Sequence, residues 1–372
     1  MKRLILGLLV FIIGVTFFMG ETYCWDPPLV VTLTEIKFNH NTGSTTNDAI
    51  TLNSGYDTTI TAPEWTSSTT KKIAYKKGST SRKIKASFTH NQGEEVYSLN
   101  ISASNLPYSD ANFYILSQEA SFSDGVCTDH EFNCSGTTAS SIGSKDLGWG
   151  WQVQKVNGES YTQFIRNTDH DFYALADYPE APFDDVGDNQ AGPWTAVLDS
   201  SCVWASGLSS TTAAACSVTT NIYFNHVLVY DDKGEANYSP EEGGFNLPAF
   251  LYDFSRYSDN EVNCHDTAHI FNIYSAAIGC TSQFKKVLST GEMDIEAKSY
   301  LPLGLAVWDS TSFNNHRYGW FNSKVFEPTY KLIQSGTPIV PVNMSENTYE
   351  SLIFKSENYE IQNPCTVTIN NY

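Results

Sequence analysis

Between residues 27 and 123 the chain reads as short runs of alternating apolar and polar positions broken by turns. Residues 29–34, 83–88 and 96–101 are β-prone, some with clear period-2 alternation. Turn clusters at Asn41-Thr42-Gly43, Lys77-Gly78 and Asn91-Gln92-Gly93 separate them. Several short strands at this spacing predict an all-β immunoglobulin-like sandwich. Residues 124–190 continue with strand-like pieces at 149–153 and 160–165 and read as a β-rich connecting region. From Gly192 onward the period changes. Trp194, Val197, Leu198, Cys202 and Ala205 follow helical spacing, as do Ala215, Val218 and Ile222, which predicts helices over 193–205 and 212–226 joined by Gly207-Leu208-Ser209-Ser210. A loop rich in Gly, Pro and acid, 231–248, precedes a further helix beginning near Cys264. After Gly279 the runs 301–308, 313–320 and 324–326 are strand-like. Helices followed by antiparallel strands predict an α+β domain. The expected division is 1–24, 27–123, 124–190, 191–335 and a C-terminal extension over 336–372, a multidomain chain.

The first residues change the picture of where the protein works. Lys2 and Arg3 precede an almost unbroken apolar run over 4–18, closed by Gly20, which predicts a secretory signal over 1–24 and a secreted or cell-surface protein. A retained anchor is the alternative, but the run falls short of the ~20 residues of a full span. Lys and Arg number 22 against 41 Asp and Glu, a formal charge of −19. That balance repels polyanions and anionic lipid surfaces, so neither nucleic acid nor, once the signal is removed, a membrane is expected as a partner. Export permits disulfides. Of the eight cysteines, Cys127 and Cys134 bracket a short segment, Cys202 and Cys216 are nearly symmetric about the inter-helix turn, and Cys280 with Cys365 completes the expected pairs. If Cys24 leaves with the signal, seven remain and one is unpaired, a candidate reactive thiol.

The segment from Asn263 to Phe271 carries the chemistry. Asn263 is a good N-cap, Asp266 stands at the third helical position, Ile270, Phe271, Ile273, Tyr274, Ala277 and Ile278 make a broad apolar face, and Gly279 is a natural stop. Cys264 therefore takes the first helical position, where the partial positive charge favours thiolate over thiol. A thiolate that expels an amine needs a histidine and a group to orient it. The run 313–327 reads as a β-hairpin. A two-residue turn at Phe321-Asn322 sets His316 directly opposite Glu327, and a turn at Asn322-Ser323 makes them diagonal neighbours on the same face. A three-residue loop would separate them. A rival site uses the same helix: His265-Asp266-x-x-His269 is similar to a zinc-peptidase helix motif with Asp for Glu, but no third ligand is apparent. Asp184, Asp185, Asp188 and Asn189 are compatible with a calcium loop, but an acidic solvated turn is the better account of them. No metal or cofactor is expected.

Cys264-x-Asp266-x-Ala268 at a helix start, a histidine strand, and then Val325-Phe326-Glu327-Pro328-Thr329 together resemble the transglutaminase-like superfamily of papain-related cysteine enzymes, over about residues 245–330. The resemblance implies a papain-like α+β domain with Cys264 as nucleophile, His316 as general base and acid, and Glu327 in place of the family's usual aspartate. It implies acyl transfer or hydrolysis at protein or peptide amide bonds through a thioester. Three readings stay open: this enzyme, a non-catalytic extracellular binding or adhesion protein that keeps the fold, and the zinc peptidase through His265 and His269.

Overall fold

The computed structural model describes residues 28–39, 48–55, 58–92, 98–156, 162–183, 192–231, 233, 235–240, 244–291, 294–309, 312–355 and 358–370. The expected signal with Cys24, the turn at Asn41-Thr42-Gly43 and the acidic run at Asp184, Asp185, Asp188 and Asn189 lie outside them. Among the described residues no helix is long and apolar enough to cross a membrane.

The alternating runs assemble one large sheet. Its strands are β1 (Val31–Lys37), β2 (Trp65–Thr66), β3 (Ile73–Lys76), β4 (Lys83–His90), β5 (Ser98–Asn105), β6 (Asn112–Ser121), β7 (Val126–Thr137), β8 (Gly143–Lys155) and β9 (Thr162–Leu175). They lie in the order β2-β1-β4-β7-β6-β5-β8-β9-β3. Only β3, parallel to β9, breaks the antiparallel pattern. The sheet curls into a half-barrel. Phe88 on β4 meets Trp151 on β8 with ring centroids 5.7 Å apart, although β7, β6 and β5 lie between those strands in the sheet. The expected sandwich over 27–123 is thereby corrected to one curled sheet that draws β7, β8 and β9 from the region read as a connector. The reason is strand length. β7 is 12 residues long; its first part pairs with β4 and its last part with β6, so one bent strand belongs to both halves of the sheet.

The second lobe is α+β, as expected. The two helices read at 193–205 and 212–226 appear as α1 (Thr195–Trp204) and α2 (Thr211–Tyr223). A helix that the periodicity did not predict, α3 (Leu247–Phe254), begins in the segment read as loop, where Asn246 accepts the Ala249 N–H at 3.0 Å. α4 (Cys264–Ala277) follows, buried along its whole length, and α5 (Glu346–Ile353) comes late in the chain, capped by Ser345. Gly279 ends α4 at φ +86°, and a Cβ there would lie 2.4 Å from the Asp177 backbone, so glycine is required twice over.

α4 packs between α1 and α2 on one side and a sheet on the other. That sheet is β18-β17-β13-β21, with β13 (Gln283–Ser289), β17 (Asn315–Phe321), β18 (Lys324–Phe326) and β21 (Tyr359–Ile361). Short pairs surround it. β10 (Leu228–Tyr230) runs parallel to β12 (Asn260–Val262), and β11 (Gly244–Asn246) parallel to β22 (Thr368–Asn370). β14 (Ile295–Glu296) pairs with β16 (Ser312–Phe313). β15 (Tyr300–Pro302), β19 (Tyr330–Gln334) and β20 (Thr337–Ile339) make a small sheet. A Cβ at Gly319 of β17 would fall 2.3 Å from the Phe271 ring, so the helix lies on the sheet at this glycine. Residues beyond 335 join the lobe: β21 edges its sheet, and Tyr349 and Ile353 of α5 are buried with Val287 and Tyr318. The lobes share a core in which Leu52, Ala74 and Tyr173 pack with Val197 and Leu198.

The expected disulfides do not form: all seven cysteines among the described residues are free thiols. Cys127 and Cys134 lie seven residues apart on the single strand β7, roughly 23 Å at strand rise, beyond any bridge. Across the α1–α2 turn the facing pair is Ser217 and Trp204, whose hydroxyl-to-carbonyl bond is 2.6 Å long; Cys202 is buried in the core and Cys216 only half-buried. Cys280 is buried against the Thr211 carbonyl at 3.4 Å, whereas Cys365 is exposed.

Candidate active site

Burial separates the thiols chemically. It pushes Cys127 up to about 11 and Cys202 and Cys280 up to about 12, which leaves them protonated and inert near neutral pH. Cys264 is placed differently. It lines a cavity of about 800 Å³ together with Tyr230, Ser239, His265, Trp308 and Phe313.

The start of α4 is fixed by the capping box that the sequence predicts. Asn263 Oδ1 accepts from the N–H of His265 at 2.8 Å and of Asp266 at 3.1 Å, and Asp266 Oδ2 accepts from the Asn263 N–H at 3.3 Å. Asp266 also accepts from the backbone N–H groups of Asn237 and Tyr238, each at 3.0 Å, which ties the preceding loop to the cavity wall. His265 Nε2 is hydrogen-bonded to Asn315 Oδ1. Since Asn315 precedes His316, this bond aligns the first turn of α4 with the histidine strand.

The hairpin takes the second of the two expected registers. Gly319 pairs with Phe326 and Phe321 with Lys324, with Asn322 and Ser323 at φ 50° and 58° forming the turn. His316 and Glu327 are therefore diagonal, and His316 Nε2 lies 2.8 Å from Glu327 Oε2. Glu327 Oε1 accepts from the Thr329 N–H at 2.8 Å. Phe313 and Tyr330 stack on the imidazole, each with centroids 5.3 Å from it, and fix its plane. The other ring nitrogen, Nδ1, makes no hydrogen bond among the described residues, and the Cys264 side chain is among the groups that act on the ring. Burial alone would lower the His316 pKa; the charges of Glu327 and Cys264 override it and push it up to about 10. The structure thus pairs His316 with Glu327 and sets Cys264 at the start of α4, on the cavity wall.

No family model matches the chain, and no curated protein matches it. Among solved structures the chain is similar to red sea bream transglutaminase. The TM-score is 0.35 and the identity 11%, over 68% of this chain and 49% of that one. The chain spans about half the length of that enzyme.

Three side chains that the sequence reading did not single out join the site. Tyr349 of α5 lies with its hydroxyl 2.8 Å from His316 Nε2 and donates to Glu327 Oε2. Its only sequence signal is the cap at Ser345, which places a helix there but not its target. Tyr230 lines the cavity, and its hydroxyl accepts from Tyr330 at 2.9 Å, so its own proton is free to point elsewhere. Arg317, next to His316, faces α4 and donates through Nη1 to His269 Nε2 at 3.0 Å. That bond bears on the zinc reading. His269 Nδ1 lies 2.9 Å from Ser239 Oγ, so both of its nitrogens have protein partners, and Asp266 serves as a cap. Among the described residues no group of three or more His, Cys, Asp or Glu is placed to hold a metal ion.

Proposed function

We propose that the protein is a secreted cysteine enzyme that breaks carboxamide or peptide bonds by acyl transfer. One observation carries this reading: a cysteine at the start of a buried helix opens onto a large cavity beside an imidazole whose far N–H is held by a buried carboxylate. Cys264 is the nucleophile, His316 the general base and acid, and Glu327 the orienting group. The thiolate adds to the carbonyl carbon. The tetrahedral oxyanion is met by the Cys264 N–H, which as a first-turn donor has no intrahelical partner, and by the Tyr230 hydroxyl. His316 gives its proton to the leaving nitrogen as the C–N bond breaks. Water or an amine then attacks the thioester, returns a proton to His316 and releases the thiolate. Positively charged Lys2 and Arg3 followed by the apolar run support export.

The test is iodoacetamide labelling of the folded mature protein from pH 5 to 9, mapped by mass spectrometry, in wild type and His316→Ala. Cys264 should be labelled selectively over the buried thiols and lose that reactivity in the variant, with exposed Cys365 as internal comparison. An unreactive Cys264, or one indifferent to His316, would favour the binding-scaffold reading. Once a substrate is found, Tyr230→Phe should slow turnover by ~10²-fold without altering alkylation.

A further inference from the structure

The apolar run 301–308, strand-like in the sequence, leaves its sheet early. Leu301 and Pro302 belong to β15, and from Leu303 to Trp308 the chain continues as a loop. The loop is fastened at both ends. At its start the Leu303 N–H donates to the Thr329 carbonyl at 2.9 Å, and the Leu303 carbonyl accepts from the Tyr230 N–H at 3.1 Å. Gly304 turns the chain at φ +72°, where a Cβ would lie 2.8 Å from the Leu228 carbonyl oxygen, so the turn is pressed against β10. At its end Tyr300 and Asp309 exchange backbone hydrogen bonds of 2.9 and 2.7 Å, which clasp the loop shut.

A loop held in this way keeps its side chains where the fold puts them, and here it puts apolar ones outside. Val307 is 75% exposed, more than any other large apolar side chain among the described residues; Leu305 is 37% exposed and Trp308 half-buried. Single exposed apolar residues are ordinary, but three clustered within one turn of loop mark a recognition surface. All three line the cavity onto which Cys264 opens.

The clasp also says which side of the cavity the loop borders. The Tyr300 ring lies 5.2 Å from that of Phe313 and 4.6 Å from that of Tyr330, and both of these stack on the His316 imidazole. The segment from Asn237 to Ser239 is tied instead to α4, through Asp266 and His269. The loop therefore stands on the histidine side. His316 is the group that gives its proton to the leaving nitrogen, so whatever that nitrogen carries lies toward the loop. Glu235, Asp294 and Asp309 line the cavity against the single cation Lys233, a balance that disfavours an anionic group there.

We infer that Leu305, Val307 and Trp308 form a subsite for a large apolar or aromatic group on the nitrogen side of the scissile carboxamide. The substrate class is then a peptide bond followed by an aromatic or aliphatic residue, or an amide of an apolar amine. This rests on the cysteine-enzyme reading.

The experiment compares three alkylating agents on the full mature protein: iodoacetamide, N-benzyl-iodoacetamide and N-carboxymethyl-iodoacetamide, with rates resolved by site in mass spectrometry. In each the sulfur displaces iodide from the same methylene, so the substituent on nitrogen is the variable, and exposed Cys365 reports its intrinsic effect. At Cys264 the benzyl reagent should gain about tenfold over iodoacetamide beyond any gain at Cys365, and the carboxymethyl reagent should lose. In the double variant Leu305→Ser, Val307→Ser the benzyl gain should fall to that of Cys365. The gain is read as a ratio within each protein, so a change in the thiol itself cancels. If the double variant fails to fold, Val307→Ser alone should cut the gain about threefold. A benzyl gain no larger than at Cys365, or one that survives the substitutions, would overturn the inference. So would a fall in molecular mass by light scattering in the variants, since the patch would then cover a second copy of the chain. A Cys264 that no reagent labels, or that ignores His316→Ala, would sink the enzyme reading and this one with it. A His316-dependent Cys264 without the benzyl preference would sink this one alone.

Discussion

Two histidines buried to the same degree, one in each lobe, behave in opposite ways. His170 in the half-barrel is ringed by Phe38, Trp65 and Trp149, its one polar contact among the described residues being Thr168 Oγ1 at 2.9 Å, and burial pushes it down to about 3. His316 in the α+β lobe is fully buried too, yet it is pushed up to about 10, because Glu327 and Cys264 outweigh the same desolvation. Burial therefore does not set a histidine's charge; the charges buried with it do. Around His170 the half-barrel supplies aromatic rings in place of linked polar groups. The second lobe links them, through Glu327, Tyr349 and His316 on one face of β17 and Arg317, His269, Ser239 and Asp266 on the other.

The sharpest way to break this contrast is Glu327→Gln. The substitution keeps an acceptor near Nε2 but removes the charge, so His316 should fall from about 10 to below its ordinary 6.5, toward the behaviour of His170. Alkylation of Cys264 at neutral pH should then drop by ~10² or more. Stability carries the same signature. A histidine raised in the folded state contributes fully below its unfolded value of ~6.5, and that contribution is lost as pH climbs toward 10. Wild type should lose stability across that window in pH-dependent denaturation, and the variant should lose less. An unchanged histidine titration in Glu327→Gln would mean the carboxylate is not the source of the shift.

A smaller effect is expected from the half-barrel's own buried acid. Glu64 accepts the Phe38 N–H at 2.8 Å, and burial raises it from 4.5 to about 7. Because its folded value is raised, stability is greatest below 4.5 and falls as pH rises to 7, by about 3 kcal/mol in all. Glu64→Gln should flatten that slope in urea denaturation run from pH 4 to 8. Smallest of all should be His170→Phe. The ring packing is preserved and Thr168 still accepts from the Trp151 indole at 3.1 Å, so a change of about 1 kcal/mol or less is expected. A loss of several kcal/mol would show that His170 belongs to a network after all.

Much of the site was legible because it is local. The Asn263 cap, the Asp266 capping box, Cys264 at the first helical position and the Gly279 stop are decided within one turn of chain, where side chain and backbone compete over a few ångströms. The pairing of His316 with Glu327 was legible as well, since a short hairpin admits few registers and sheet parity keeps both on one face. The disulfides were misjudged for the converse reason. Spacing in sequence says nothing of whether two cysteines share a strand, and Cys127 and Cys134 do.

What the sequence determined by itself was the α+β character of the second lobe, the strand-rich first part, and a cysteine, a histidine and a carboxylate in chemically sensible order. Only the tertiary structure decided that the strands form one curled sheet, that Tyr349 returns from near the end of the chain to hold Glu327 and His316, and that Arg317 lies under the helix with no carboxylate of its own. The physical reason is range. Caps, turns and parity are set by neighbours in the chain, whereas the charge state of a buried group is set by whatever the fold places within a few ångströms of it.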